Sequence, residues 1–155
     1  ALPALYQALV HKSSTVRNAS LNALTKVEKN KLKLLDVLQN KLKDDNDTVR
    51  HTAIRELGNL GSDARPAGKS LFDRFATTED RQVTMEALRQ IRVRDVSLYI
   101  SILNNEEPLV RFFACQAIRR AGKKASSAEP ALTKLKTDSY DFVRREARRA
   151  LEAIR

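Results

Sequence analysis

Branched aliphatic and small residues recur along the chain in a fixed order. A Val-Arg pair stands at Val16-Arg17, Val49-Arg50, Val110-Arg111 and Val143-Arg144, with a degenerate copy at Val83-Thr84, at steps of 33, 34, 27 and 33 residues. Four residues after each Val comes a small residue: Ser20, Ala53, Ala87, Ala114, Ala147. Eight residues after comes Leu24, Leu57, Ile91, Ile118 or Leu151, and five after comes Leu21, Ile54, Leu88 or Cys115, with Arg148 breaking the series. Offsets 0, 4, 5 and 8 form one stripe of an α-helix at 3.6 residues per turn. The small residue at offset 4 lets a neighbouring helix approach closely. No strand alternation of comparable length occurs, so the pattern predicts an all-α chain.

A second helical segment precedes each of these. Residues 2–11, 31–43, 64–76, 96–103 and 128–136 are predicted as helices, the second carrying Leu32, Leu35, Leu38 and Leu42 on an amphipathic stripe. Pro3, Pro66 and Pro130 fall in first turns, where a missing N–H costs nothing. Polar connectors such as Asp44-Asp45-Asn46-Asp47 and Asn104-Asn105-Glu106-Glu107 supply caps and negative charge at helix starts. Gly61 and Gly122, each twelve residues past a Val, are placed to stop helices. Five helix pairs are expected, each burying its face against its neighbours.

These repeats resemble HEAT repeats of the short type found in bacteria and in phycobilin lyases. The resemblance is carried by Asp47-Thr48-Val49-Arg50-His51-Thr52-Ala53-Ile54-Arg55-Glu56-Leu57-Gly58-Asn59-Leu60-Gly61 and by Asp141-Phe142-Val143-Arg144-Arg145-Glu146-Ala147. It implies a right-handed α-solenoid of about five helix pairs over residues 1–155, with the second helices lining a concave, ligand-binding surface. It also implies that the Asp two before each Val bonds to the Arg after it between adjacent repeats. Asp47 with Arg50 and Asp141 with Arg144 match, whereas Ser14, Arg81 and Pro108 stand at the Asp position elsewhere. The third repeat departs furthest, with Thr84 for Arg and a 27-residue step to the next.

Composition bounds the role. The 155 residues carry 29 Lys+Arg against 19 Asp+Glu, a net charge of +10, which points to an acidic partner. The excess is +4 over residues 1–50, +1 over 51–99 and +5 over 100–155, so it gathers at the two ends rather than in one stripe. No apolar run reaches the roughly 20 residues that span a bilayer, and a cytoplasmic location is expected. The first residue is Ala1 rather than Met, as in a chain processed or taken from a longer one.

Chemistry is sparse. His11 and His51 lie in different repeats without the spaced partners of a metal site, and His51 is expected to face solvent. Cys115, the single cysteine, falls on the inward stripe as a buried thiol. The four glycines make no phosphate loop, and the paired carboxylates Asp44-Asp45 and Glu106-Glu107 read as caps. Some HEAT-like proteins are DNA glycosylases that use Trp and Asp, but Trp is absent here. No catalytic residue, metal ligand or cofactor site is expected.

The outward positions of the second helices read polar to basic, with Glu86 and Glu146 as acidic exceptions. Phe112 and Phe113 both fall outward, one to fill the space left by the short step or to anchor a partner. The expected function is a non-enzymatic scaffold binding an acidic protein on the concave face through Arg55, Arg89, Phe112, Gln116, Arg120, Arg145 and Arg149. The alternatives are sequence-independent binding of a nucleic-acid backbone and service as a non-catalytic subunit of a lyase or other enzyme.

Overall fold

A computed structural model describes residues 1–77 and 80–155. The described residues contain helices and no strand, and they form two compact units, Ala1–Val93 and Arg94–Arg155. In the first unit α1 (Leu2–Ala8), α3 (Lys31–Lys41) and α5 (Gly68–Thr77) alternate with the Val-bearing helices α2 (Ser14–Val27), α4 (Asp47–Asn59) and α6 (Arg81–Ile91). Each first helix packs on the second helix that follows it, while α2 packs on α4 and α4 on α6. The second unit repeats the scheme. There α7 (Val96–Ser101) packs on α8 (Pro108–Ala121), α9 (Glu129–Lys134) on α10 (Asp141–Ile154), and α8 on α10. These are the stacked helix pairs of an α-solenoid.

Local sequence explains most element boundaries. The Asn30 side chain accepts from the amides of Leu32 and Lys33, both at 3.1 Å, and Asn46 does the same for Thr48 and Val49. These bonds satisfy amides that a helix start leaves without partners. The continuous helices expected over 64–76 and 128–136 are instead composite. A 3-10 segment over Gly61–Ala67 precedes α5, and 3-10 segments over Gly122–Ala128 and Leu135–Thr137 flank α9. Pro66 lies inside the first of these, because its ring would clash with the carbonyl four residues back in an α-helix. Gly61 and Gly122 follow helix ends with positive φ of +55° and +58°, Gly122 at ψ of −142°, backbone that residues with a Cβ rarely adopt. Arg92 takes the left-handed conformation at the end of α6, with φ of 54°, ψ of 57° and the strain of a Cβ there.

The stripe packs as its spacing predicts. All five small residues at offset 4 are buried, as are Leu24, Leu57, Ile91, Ile118 and Leu151. Val49, Val110 and Val143 are fully enclosed, whereas Val16 and Val83 are half-buried. Phe72 and Phe75 fill the first unit, each contributing roughly 1.5–3 kcal/mol by leaving water. Phe113 is buried rather than outward, its ring 6.2 Å from that of Tyr99 on the short α7. Gly58 marks a close approach of α4 to α6, since a Cβ there would lie 3.2 Å from the Ala87 Cα. No described helix is long and apolar enough to cross a membrane.

Candidate functional site

The arginine after each Val closes two connections at once. The Arg17 Nη1 donates to the carbonyls of His11 and Lys12 at 3.0 and 3.1 Å, while its Nε and Nη2 reach the Asp44 carboxylate at 2.9 and 2.7 Å. Arg50 binds the carbonyls of Asp44 and Asp45 and donates through Nε to Asp80 at 3.1 Å. In the second unit Arg111 binds the carbonyls of Asn105 and Glu106 and grips Asp138 with Nε at 2.7 Å and Nη2 at 2.9 Å. Arg144 repeats the carbonyl half of the pattern on Asp138 and Ser139. Each guanidinium thus staples its own turn, and three of the four also tie that turn to a carboxylate of the next repeat.

This corrects the expected ladder. Asp47 and Asp141 pair with Arg50 and Arg144 only within their own helices, three residues apart. The acceptors between repeats are Asp44, Asp80 and Asp138, which lie in the turns. The repeated signal was there: Asp44 and Asp138 each stand five residues before a Val. Burial alone would raise their pKa values, but the Arg17 guanidinium holds Asp44, and the Arg111 guanidinium Asp138, below the usual carboxylate range. Asp80 is also enclosed and is lowered to about 2 by Arg50, Arg74 and His51. His51 therefore does not simply face water; its Nε2 lies 2.7 Å from the Asp80 carboxylate. In the third repeat Thr84 replaces the arginine, and its hydroxyl donates to the Asp80 carbonyl at 2.7 Å.

The second helices of the first unit carry a groove of about 760 Å³. Asn22 of α2, Arg55, Glu56 and Asn59 of α4, and Gln82, Glu86 and Gln90 of α6 line it, with His51 and Asp80. Its chemistry is amide-rich and of mixed charge, more acidic than expected, because Glu56 stands beside Arg55. Arg89 is exposed outside the lining, its Nη1 3.9 Å from Glu86.

The other five candidates stand on α8 and α10. Phe112 is half-buried, its ring edge-on to Phe142 at 5.5 Å, and Phe142 meets Tyr140 at 5.7 Å. Gln116 is half-buried with its Oε1 enclosed and without a hydrogen-bond partner. Arg120, Arg145 and Arg149 are exposed, Arg145 pairing with Asp141 at 2.8 Å. Glu146 is not an exposed acidic exception but buried, 2.6 Å from Arg119 Nε of α8 and 3.6 Å from Arg149 Nη1 of its own helix. The carboxylate thereby holds two guanidinium groups at the surface. Arg119, at offset 9, escaped the outward set because its position borders the buried stripe. Cys115 is enclosed, and burial, with the carboxylates of Glu146 and Asp138, pushes its thiol up to about 12.

A family model for HEAT repeats matches residues 2–92, more than half of the chain. The chain belongs to the HEAT-repeat family. Solved structures of the same fold extend the likeness over nearly all of this HEAT-repeat chain. A chain from a study of TOG–tubulin binding specificity is 16% identical with a TM-score of 0.67, over 96% of this chain and 69% of that one. An engineered protein is 22% identical with a TM-score of 0.59, over 97% and 77%. A designed armadillo repeat protein in complex with the peptide (KR)4 is 19% identical with a TM-score of 0.57, over 97% and 80%. Curated proteins offer no match. The HEAT-repeat chain is thus a helical-repeat scaffold, with its rungs fixed internally and its second-helix surfaces open to solvent.

Proposed function

We propose that this HEAT-repeat protein is a non-enzymatic scaffold that holds an acidic segment of a partner protein on the second-helix surface of residues 94–155. The observation that carries this reading is the buried Glu146, which orients Arg119 and Arg149 from adjacent helices. A guanidinium held in place loses less side-chain entropy when it forms bidentate bonds to a carboxylate. Arg120 and Arg145 extend the cationic surface, and the Phe112–Phe142 pair offers an apolar edge beside it. Arg55 and Arg89 belong to a surface of mixed charge and do not carry the proposal. The armadillo neighbour, a helical-repeat protein holding a peptide, supports a peptide ligand for this scaffold.

Fluorescence anisotropy with a labelled Glu/Asp-rich peptide, its Gln/Asn counterpart and single- and double-stranded nucleic acid tests the reading. Arg120→Glu combined with Arg145→Glu touches neither Glu146 nor the rungs and should weaken the acidic peptide by at least about tenfold. Equal binding of the acidic and amide peptides would sink it. Tighter binding of nucleic acid, with steep dependence on salt, would replace it with the phosphate-backbone reading.

A further inference from the structure

Leu32, which its spacing sets on a stripe with Leu35, Leu38 and Leu42, is 78% exposed, while those three are buried. It stands in the first turn of α3, and Val27, the last residue of α2, is 47% exposed at the other end of the same short connection. Lys26, Lys29, Lys31 and Lys33 are interspersed with them, and all four are exposed. Lys31 pairs with the exposed Asp63 at 2.6 Å, whereas the ammonium groups of Lys26, Lys29 and Lys33 form no hydrogen bond or ion pair with a described residue. The one carboxylate of the segment, Glu28, is half-buried and engaged, accepting from the Tyr6 hydroxyl at 2.6 Å and from the Asn30 amide at 2.8 Å. The Asn30 side chain in turn accepts from the amides of Leu32 and Lys33, which fixes the backbone that presents Leu32. Residues 26–33 thus offer solvent two aliphatic side chains set among lysines.

We infer that the α2–α3 turn docks the protein on an anionic lipid surface, with its lysines among the headgroups and Leu32 and Val27 in the acyl boundary beneath. A bilayer answers both chemistries at once. Anionic headgroups attract each lysine, for about a fivefold gain in partition apiece, and aliphatic side chains bury about 5–10 Å into the boundary between headgroups and acyl chains. Lysine suits that place, because its apolar stem lies along the boundary while the ammonium stays in water. Such docking is peripheral and spans nothing. A stable protein complex draws on about 20–30 residues a side, whereas a fluid surface needs no matched shape and accepts one short turn. Nucleic acid is disfavoured, since residues 26–33 hold no aromatic ring on which a base could stack, and phosphates would leave Leu32 in water. The equivalent turn between α8 and α9 has the exposed Lys123 and Lys124 but no exposed large aliphatic, so it lacks the second half of the signature. The docking turn lies in the first unit and does not rest on the proposed acidic-segment surface.

Cosedimentation of the full chain with vesicles of phosphatidylcholine alone, or with phosphatidylserine added to about one third, tests this. The anionic vesicles should bind at least about tenfold more tightly than the neutral ones. Lys29→Ala combined with Lys33→Ala should weaken that binding by about 20-fold, and Leu32→Ser by about fivefold to tenfold. These side chains are exposed, so circular dichroism and melting temperature should not change. Arg120→Ala combined with Arg145→Ala removes the same charge from the second unit and should cost less than about threefold. A polarity-sensitive dye on Leu32→Cys should shift to the blue on anionic vesicles, while the same dye on Asn40→Cys, about 12 Å along α3, should not; the buried Cys115 does not compete for the label. Equal binding to the two vesicles, no dye shift at Leu32→Cys, or equal losses from the lysine and arginine pairs overturns the proposal. So does tighter binding to duplex DNA that Leu32→Ser leaves unchanged. The lysine pair leaves α8 and α10 untouched, so the acidic peptide should still bind that variant, and the two readings fail separately.

Discussion

Asp138→Asn probes the rung most directly, because it removes one charge and alters little volume. Arg111 and Asp138 are 12% and 6% exposed, joined by two bonds of 2.7 and 2.9 Å, and the Asp138 Oδ1 also accepts from the Tyr140 amide at 3.0 Å. Removing one partner of such a pair leaves an enclosed cation without its counter-charge, at a cost of about 3–5 kcal/mol. The amide oxygen of Asn still accepts one bond, which places the expected loss near the lower end, at about 3 kcal/mol. For a chain of this length that corresponds to a fall of roughly 6–12 °C in melting temperature. Urea titrations followed by circular dichroism at pH 7 measure it, and a cycle with Arg111→Met should return a coupling of at least about 1.5 kcal/mol. The folded pKa of Asp138 is below its unfolded value, so the advantage over Asn is full above the ordinary aspartate range and shrinks as pH falls through that lower value. A loss below about 1 kcal/mol with near-zero coupling would refute the view that the rung ties adjacent repeats together.

Three further outcomes are expected. Asp80 sits at about 2 when folded and near the ordinary 3.9 when unfolded, so roughly 2–3 kcal/mol present above about pH 4 should be lost between pH 4 and 2; Asp80→Asn should flatten that segment of an acid-stability curve. Cys115, with its thiol raised to about 12, should resist a thiol-reactive dye at pH 8 in the native protein and react on unfolding in urea. Arg92→Gly should raise stability by about 1 kcal/mol, because glycine removes the Cβ strain at φ of 54°; an unchanged or lower urea midpoint would contradict it.

The helix pairs were legible because their signal is periodic and is repeated five times. A buried small residue at offset 4 and an aliphatic at offset 8 leave little freedom in how a helix faces its neighbours. Phe113 and Glu146, both at offset 3, were misplaced outward for one reason. Offset 3 lies at the edge of the buried stripe, and whether that edge is covered depends on the neighbouring helix: Tyr99 meets Phe113, and Arg119 covers Glu146. The rung acceptors were missed because a turn aspartate bonds to an arginine about 27–30 residues away, a pairing that helical periodicity does not encode. The mixed charge of the groove is partly legible: helical spacing turns Arg55 outward, whereas Glu56 borders the buried stripe and reaches the groove only because α6 leaves that edge open. Which side chains stay unengaged is a property of the folded surface, and no spacing rule supplies it.

The rung also bears on how such a chain can lengthen. Its arginine lies in one repeat and its carboxylate in the next turn, so neither repeat holds a complete rung. A tandem duplication of one repeat length, wherever its ends fall in the period, sets every copied arginine before a copied aspartate. A duplication shorter or longer than the period leaves a guanidinium facing the wrong turn, with an enclosed charge unmatched. Growth by whole repeats is therefore electrostatically self-correcting, and growth by fractions of a repeat is penalised at its first junction.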